Sequence, residues 1–215
     1  MEVYFVRHGA TDWNAQKRFQ GERDIELNAK GREQAGLLGQ KLESTEFALI
    51  YASPLIRAYE TACLIRGHRN IRIIRDERLR ELSFGGLEGL PYSDWIATDH
   101  PRKYFFTAPE KYLPPEGGET FGHLCARTEN FIREELETLD EKTGRVMVVA
   151  HGAVIASLMC CLENHGVENF WGSGLKGNCE ETVFSFDGRA WRKVSHDSPH
   201  ENPYEKEARD GHQKK

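Results

Sequence analysis

Four short apolar runs recur along the first 150 residues, and polar stretches with a helical period separate them. The first, Val3 to Val6, is four consecutive apolar or aromatic residues, which predicts a strand covered on both faces. "ELNAKGREQAGLLGQKLEST" comes next, with Ala35, Leu38 and Leu42 at helical spacing and Asn28 as N-cap. "FALIYASP" predicts a second strand ending at Pro54. "LIRAYETACLIRG" predicts a helix closed by Gly67, and "IRIIRDE" a third strand. A loop-rich stretch runs from Gly85 to Gly118. Phe121, Leu124, Thr128, Phe131, Leu136 and Leu139 then predict one amphipathic helix. "RVMVVAHG" is a fourth strand with the helix "AVIASLMCCLEN" behind it. "TVFSFDGRAWRKVSHD" alternates around Asp187-Gly188, as a closing hairpin does.

Strands alternating with helices predict an α/β fold, a three-layer α/β/α sandwich around a mostly parallel, mixed central sheet. One domain is expected over 1–195. The polar, Pro-containing stretch 196–215 is expected to be a poorly ordered tail. Ligands of such sheets sit beyond the carboxyl ends of the strands, so the residues just past each strand decide the chemistry.

Charge changes the picture in one respect. The formal net charge of −5, without a polybasic run, argues against a nucleic-acid partner but leaves room for a small anionic ligand held by a few local cations. Five cysteines without CxxC spacing predict neither a disulfide framework nor a zinc site, and read as reduced thiols filling a core. No export signal and no membrane-spanning run is read, so a cytoplasmic protein is expected. The sequence sets no oligomeric state.

Two of the strands end alike. "VYFV" leads into Arg7-His8-Gly9 and "VMVVA" into His151-Gly152, so parallel strands deliver both imidazoles to one rim. Each precedes a glycine that lets backbone turn closely under a ligand, and a helix after each would aim N–H groups at an anion. The second strand ends at Ser53-Pro54 and leads into a helix with Arg57 in its first turn. Two guanidiniums and two imidazoles predict a pocket for a tetrahedral oxyanion, in which an imidazole can act as a nucleophile. Asp76, Glu77, Glu81 and Glu88 are the candidate proton sources.

The blocks "RHGATDWN", "RFQGERDIEL", "ASPLIRAYETA", "LRELSFGGLEG", "PEGGET" and "VVAHGAVI", in that order, resemble the histidine phosphatase superfamily, which includes the cofactor-dependent phosphoglycerate mutases. The resemblance implies that His8 becomes phosphorylated. It implies that Arg7, Arg57 and His151 stabilise the phosphoryl group and that Glu81 donates the proton. Asn14, Gln20 and Gly21 resemble further parts of the phosphate pocket. It implies a small phosphate monoester as substrate, no metal and no cofactor. Glu77 is the competing acid, and Glu88 reads as a loop anchor. The His8 ring nitrogen away from the phosphate is expected to donate to a backbone carbonyl.

Departures narrow the choice within the family. This chain has "RHGAT" where mutases carry "RHGES", and only about 38 residues separate Glu81 from Glu119, without a long insertion. An open pocket admits water, so hydrolysis is expected before the mutase alternative. "LRELSFGGLEGLPYSDW" is similar to segments of small broad-specificity and α-ribazole phosphatases. Glu26 and Asn28 replace more usual residues and are expected near the pocket entrance. Trp95, Tyr104, Phe105 and Phe106 read equally as a substrate mouth or a satellite core. A non-catalytic phosphoprotein-binding module is the alternative of another class.

Overall fold

The computed structural model describes residues 1–172 and 174–194; the expected tail over 196–215 lies outside them. Six strands form one sheet: β1 (Glu2–Arg7), β2 (Leu49–Ala52), β3 (Arg72–Arg75), β4 (Arg145–Ala150), β5 (Glu181–Phe186) and β6 (Trp191–Val194). Their spatial order is β3-β2-β4-β1-β5-β6. The first four run parallel, and β5 and β6 add an antiparallel hairpin beside β1. Asp187 closes that hairpin by accepting from the N–H groups of Arg189 and Ala190, and Gly188 takes a φ of +84°.

The helices are α1 (Asp12–Ala15), α2 (Ala29–Lys41), α3 (Ile56–Arg66), α4 (Tyr92–Ile96), α5 (Phe121–Phe131) and α6 (Gly152–Leu162). Strand alternation sorts the core into two layers. Val6, Ile50, Ala52, Met147 and Val149 pack against Leu38 of α2 and Ala58, Ala62 and Ile65 of α3. Val3, Phe5, Tyr51, Val146 and Val148 meet Leu124 and Phe131 of α5 and Val154 and Leu158 of α6 on the other face. The expected three-layer sandwich is what forms. Asn28 caps α2 by accepting from Gly31 N–H, and Gly67 ends α3 at a φ of +58°.

Two expectations change. The helix expected from Phe121 to Leu139 stops at Phe131 and continues as one π-helical turn, Ile132–Leu136. Phe131 and Leu136 are five residues apart. The wider turn, closed by Glu137 N–H to the Ile132 carbonyl, keeps both buried. The loop-rich stretch 85–118 folds into short turns around α4 and closes over Phe19, whose ring centroid lies 4.4 Å from those of Tyr92 and Trp95.

Candidate active site

The register of two neighbouring strands places the central pair. Arg7 of β1 stands opposite Ala150 of β4, and His8 N–H donates to the Ala150 carbonyl at 2.9 Å. The next residue of each strand is a histidine, and the two ring centroids are 5.1 Å apart. Both imidazoles are buried, His8 at 2% and His151 at 0% exposure. Ser53 comes directly after β2 on the far side of β4, its N–H donating to the Val149 carbonyl at 3.0 Å. Three parallel strands thus end at one rim.

His8 Nδ1 lies 2.7 Å from the Gly9 carbonyl oxygen. A carbonyl only accepts, so Nδ1 carries the hydrogen and Nε2 keeps its lone pair. Burial, then the charges of Arg57 and Arg7, hold the His8 pKa well below its ordinary value, so the ring is neutral at neutral pH. His151 is neutral for similar causes: burial first, then Arg57. Its Nε2 is 2.7 Å from Ser53 Oγ, whereas its Nδ1 is buried with no partner.

Arg57 sits in the first turn of α3 and is fully buried. Its Nη1 donates to the Arg23 carbonyl at 2.7 Å and its Nη2 to the Gly21 carbonyl at 2.8 Å. Burial pulls its pKa down to about 10, against the support of Glu81, Asp24 and Glu88, so it stays cationic at neutral pH. Arg7 is tied back through Nη1 to the Lys176 carbonyl, and the Nε atoms of both arginines are buried and unpartnered. Unmatched guanidinium N–H groups that are buried call for an anion.

Glu81 is in the same cleft. Its carboxylate accepts from its neighbour Leu82 N–H at 2.9 Å and from Ala153 N–H, in the first turn of α6, at 3.3 Å. Burial still raises its pKa, outweighing those N–H groups and Arg57. Glu77 lies outside this cleft: it is largely exposed and pairs with Arg80. Glu88 accepts from Glu22 and Phe84 N–H groups and so ties the 19–23 loop to the segment after Glu81. Gly21 has a φ of +53°, and a Cβ there would strike the Glu88 carboxylate, so only glycine fits beneath it.

Arg7, His8, Asn14, Gln20, Gly21, Arg57 and Glu81 therefore line one cleft, and the His151 ring packs beside His8 at its edge. Asn14 Oδ1 is occupied by Thr11, to which it is joined in a capping box, and Gln20 Oε1 is buried without a partner. Only α6 starts directly at its glycine; the four-residue α1 begins three residues after Gly9. Glu26 and Asn28 do not line the cleft. Glu26 pairs with Arg32, and Asn28 is the α2 cap. The aromatic residues divide: Phe106 lines the cleft, Phe105 is buried yet borders it, Trp95 is core and Tyr104 stands apart.

Four residues that the sequence reading missed hold this arrangement. Thr61 Oγ1 accepts from Gly9 N–H at 3.0 Å and donates to the Arg57 carbonyl at 2.6 Å, joining the β1 loop to α3. Gln34 accepts from Ala10 N–H at 3.0 Å, and Asn178 donates to the His8 carbonyl at 2.8 Å. Ser53 orients His151; its place beside a predicted histidine strand was the one signal for it. Removing that hydroxyl in Ser53→Ala is expected to lower kcat about tenfold with KM little changed, read by steady-state kinetics. An unaltered kcat would show that the His151 ring needs no such support. The backbones around Gly9 and Gly31 pass so closely that a Cβ on Gly9 would lie 2.5 Å from the Gly31 carbonyl oxygen.

Residues 3–198 match the family model described as the histidine phosphatase superfamily, branch 1. The chain is 34% identical over 205 residues to glucosyl-3-phosphoglycerate phosphatase of Mycobacterium tuberculosis, covering 88% of this chain and 91% of that one. It is 29% identical over 187 residues to phosphoserine phosphatase 1 of Hydrogenobacter thermophilus, covering 86% and 85%. Among solved structures it resembles YhfR of Bacillus stearothermophilus, with a TM-score of 0.82, 33% identity and coverage of 90% and 95%.

Proposed function

The chain belongs to the histidine phosphatase superfamily and is a phosphohydrolase, and on that footing we propose that it hydrolyses a small phosphorylated metabolite through a phosphohistidine on His8. The observation that carries this reading is the lone pair on His8 Nε2, held beside His151 and two partly unmatched guanidiniums. Nε2 attacks phosphorus as the ester oxygen departs with a proton from Glu81. Arg7, Arg57 and His151 bind the oxygens on which charge collects, the role that positioned cations serve in phosphoryl transfer. Glu81, now a carboxylate, takes a proton from water; that oxygen attacks the phosphohistidine, freeing His8 and inorganic phosphate.

Burial supports the acid role of Glu81, because a carboxyl that resists ionisation can hold its proton until the leaving oxygen needs it. It also weighs against the binding-module alternative, which has no use for a buried acid or a freed imidazole lone pair. The alcohol half of the ester would lie outward of the cradle, between Tyr92, Phe106 and Trp171, with Arg18 as the third lining guanidinium. Relatives named for phosphoserine and glucosyl-3-phosphoglycerate support a small metabolite ester.

The test is phosphate release across a panel of metabolite monoesters that includes phosphoserine and 3-phosphoglycerate, with 2-phosphoglycerate followed in parallel. Release of free phosphate well above isomer formation is expected. Isomerisation with little phosphate release would make it a mutase, and phosphate-dependent partner binding without turnover would make it a binding module.

A further inference from the structure

Three of the five cysteines meet between α5 and α6, in a cluster that takes no part in the phosphoryl chemistry. Sequence spacing hid it, because Cys125 comes from one helix and the adjacent Cys160 and Cys161 from the other. They are not simply core filling: Cys160 is buried, but Cys125 and Cys161 are half-buried, and all are free thiols. Ser157 Oγ donates to Cys125 Sγ at 3.5 Å, and the Cys161 thiol reaches the Cys125 carbonyl at 3.8 Å. The Cys160 thiol points instead to the His165 carbonyl, at 3.0 Å. Thr128, one turn beyond Cys125, lies 2.7 Å from Ser157 Oγ and 3.9 Å from Cys161 Sγ. The two helices thus meet here through small sulfur and hydroxyl side chains. Among the described residues, no group of His, Cys, Asp or Glu is arranged to hold a metal ion.

We propose that this cluster is a thiol–disulfide modification site, at which a hydroperoxide oxidises Cys125 and a thiol of the Cys160-Cys161 pair then closes an α5–α6 disulfide. In the first step the Cys125 thiolate attacks a peroxide oxygen. The O–O bond breaks, and Cys125 becomes a sulfenic acid while the peroxide leaves as water or an alcohol. In the second, an α6 sulfur attacks the sulfenic sulfur. The S–S bond forms, and the departing hydroxide leaves as water with the attacking thiol's proton. The protein loses two hydrogens overall, and the peroxide is reduced.

Cys125 reacts first because it is the acceptor of the group. The neighbouring α6 thiols favour its thiolate and move its pKa down, with Ser157 Oγ donating to the sulfur, while the pKa values of Cys160 and Cys161 are moved up. Cys160 directs its thiol to the His165 carbonyl at 3.0 Å, whereas Cys161 lies against Cys125, its sulfur 3.8 Å from the Cys125 carbonyl. Cys63 and Cys179 belong to the opposite layer, on α3 and beside the α2–α3 core. Burial and Glu181 push the Cys179 pKa up to about 12. The phosphoryl cradle meets α6 at Gly152 and Ala153, some seven residues and about 10 Å along the helix from the thiols, so the bridge leaves it open.

The experiment exposes the whole protein to stoichiometric hydrogen peroxide, alkylates the remaining thiols and maps the peptides by mass. A cross-link from Cys125 to Cys160 or Cys161, reversed by dithiothreitol, is expected, with three of the five cysteines still alkylated. Cys125 should disappear at least about tenfold faster than Cys63 or Cys179. Cys125→Ser should abolish the link. The double variant Cys160→Ser, Cys161→Ser should leave a Cys125 sulfenic acid that dimedone captures. Five alkylated thiols after exposure would overturn the proposal, as would first oxidation at Cys63 or Cys179, a Cys160–Cys161 bridge, or a sulfinic acid at Cys125 without a cross-link. These readouts on the unsubstituted protein do not depend on its catalytic reading, and turnover of the bridged form should stay within about twofold.

Discussion

His8→Ala is expected to lower kcat by about four orders of magnitude or more, because the step that splits hydrolysis into two displacements is lost with the nucleophile. Inorganic phosphate should still bind within about tenfold, since the guanidiniums of Arg7 and Arg57 stay anchored to the Lys176, Gly21 and Arg23 carbonyls, independently of the ring. Rapid acid quench of the parent with labelled ester should trap an acid-labile phosphoenzyme that the variant does not form. Turnover near the parental rate in the alanine variant would remove His8 from the nucleophile's role.

Glu81→Gln has the second-largest expected effect, and it depends on the leaving group. An alkyl ester needs a proton as its oxygen departs, so its rate should drop about 10³-fold. p-Nitrophenolate leaves without one, so formation of the phosphoenzyme from that ester should fall far less. The direction of the two pKa shifts sets the pH profile. Glu81 has a raised pKa and must be protonated for the first step, so the parental rate on alkyl esters falls as pH rises through that pKa. His8 has a lowered pKa and must be neutral, so its own loss is confined to more acidic solution. Mildly acidic solution should therefore outpace pH 8, and the glutamine variant should lose the alkaline limb. Equal losses on both esters, or a parental profile flat from mildly acidic pH to pH 8 with chemistry limiting, would exclude Glu81 as the acid.

The strands and the arrival of both histidines at one rim were legible because they depend on local pattern: an apolar run long enough for a strand, then a polar residue at its end. Arg57 was legible for the same reason, one turn into a helix that begins just after a strand. The choice of Glu81 over Glu77 had no such support. It depends on which carboxylate is turned under α6 to meet Ala153 N–H, a contact across 72 residues of sequence. Asn178 reaches the His8 carbonyl across 170 residues, with no periodicity to announce it. The thiol cluster failed the spacing test for a related reason, since spacing rules describe one segment and these sulfurs come from two. The break after Phe131 was in principle visible, because the step from Phe131 to Leu136 does not fit 3.6 residues per turn.

The close passage of the main chain at Gly9 and Gly31 bears on how such an enzyme can diversify. Even a methyl group at either position would force the loop after His8 away from α2. Nearby sites, Thr61 and Gln34, already commit their side chains to the same loop. A mutant library aimed at these positions would return mostly inactive clones. New selectivity is open instead around Tyr92, Phe106 and Trp171, which line the cleft through side chains rather than through such close main-chain contacts.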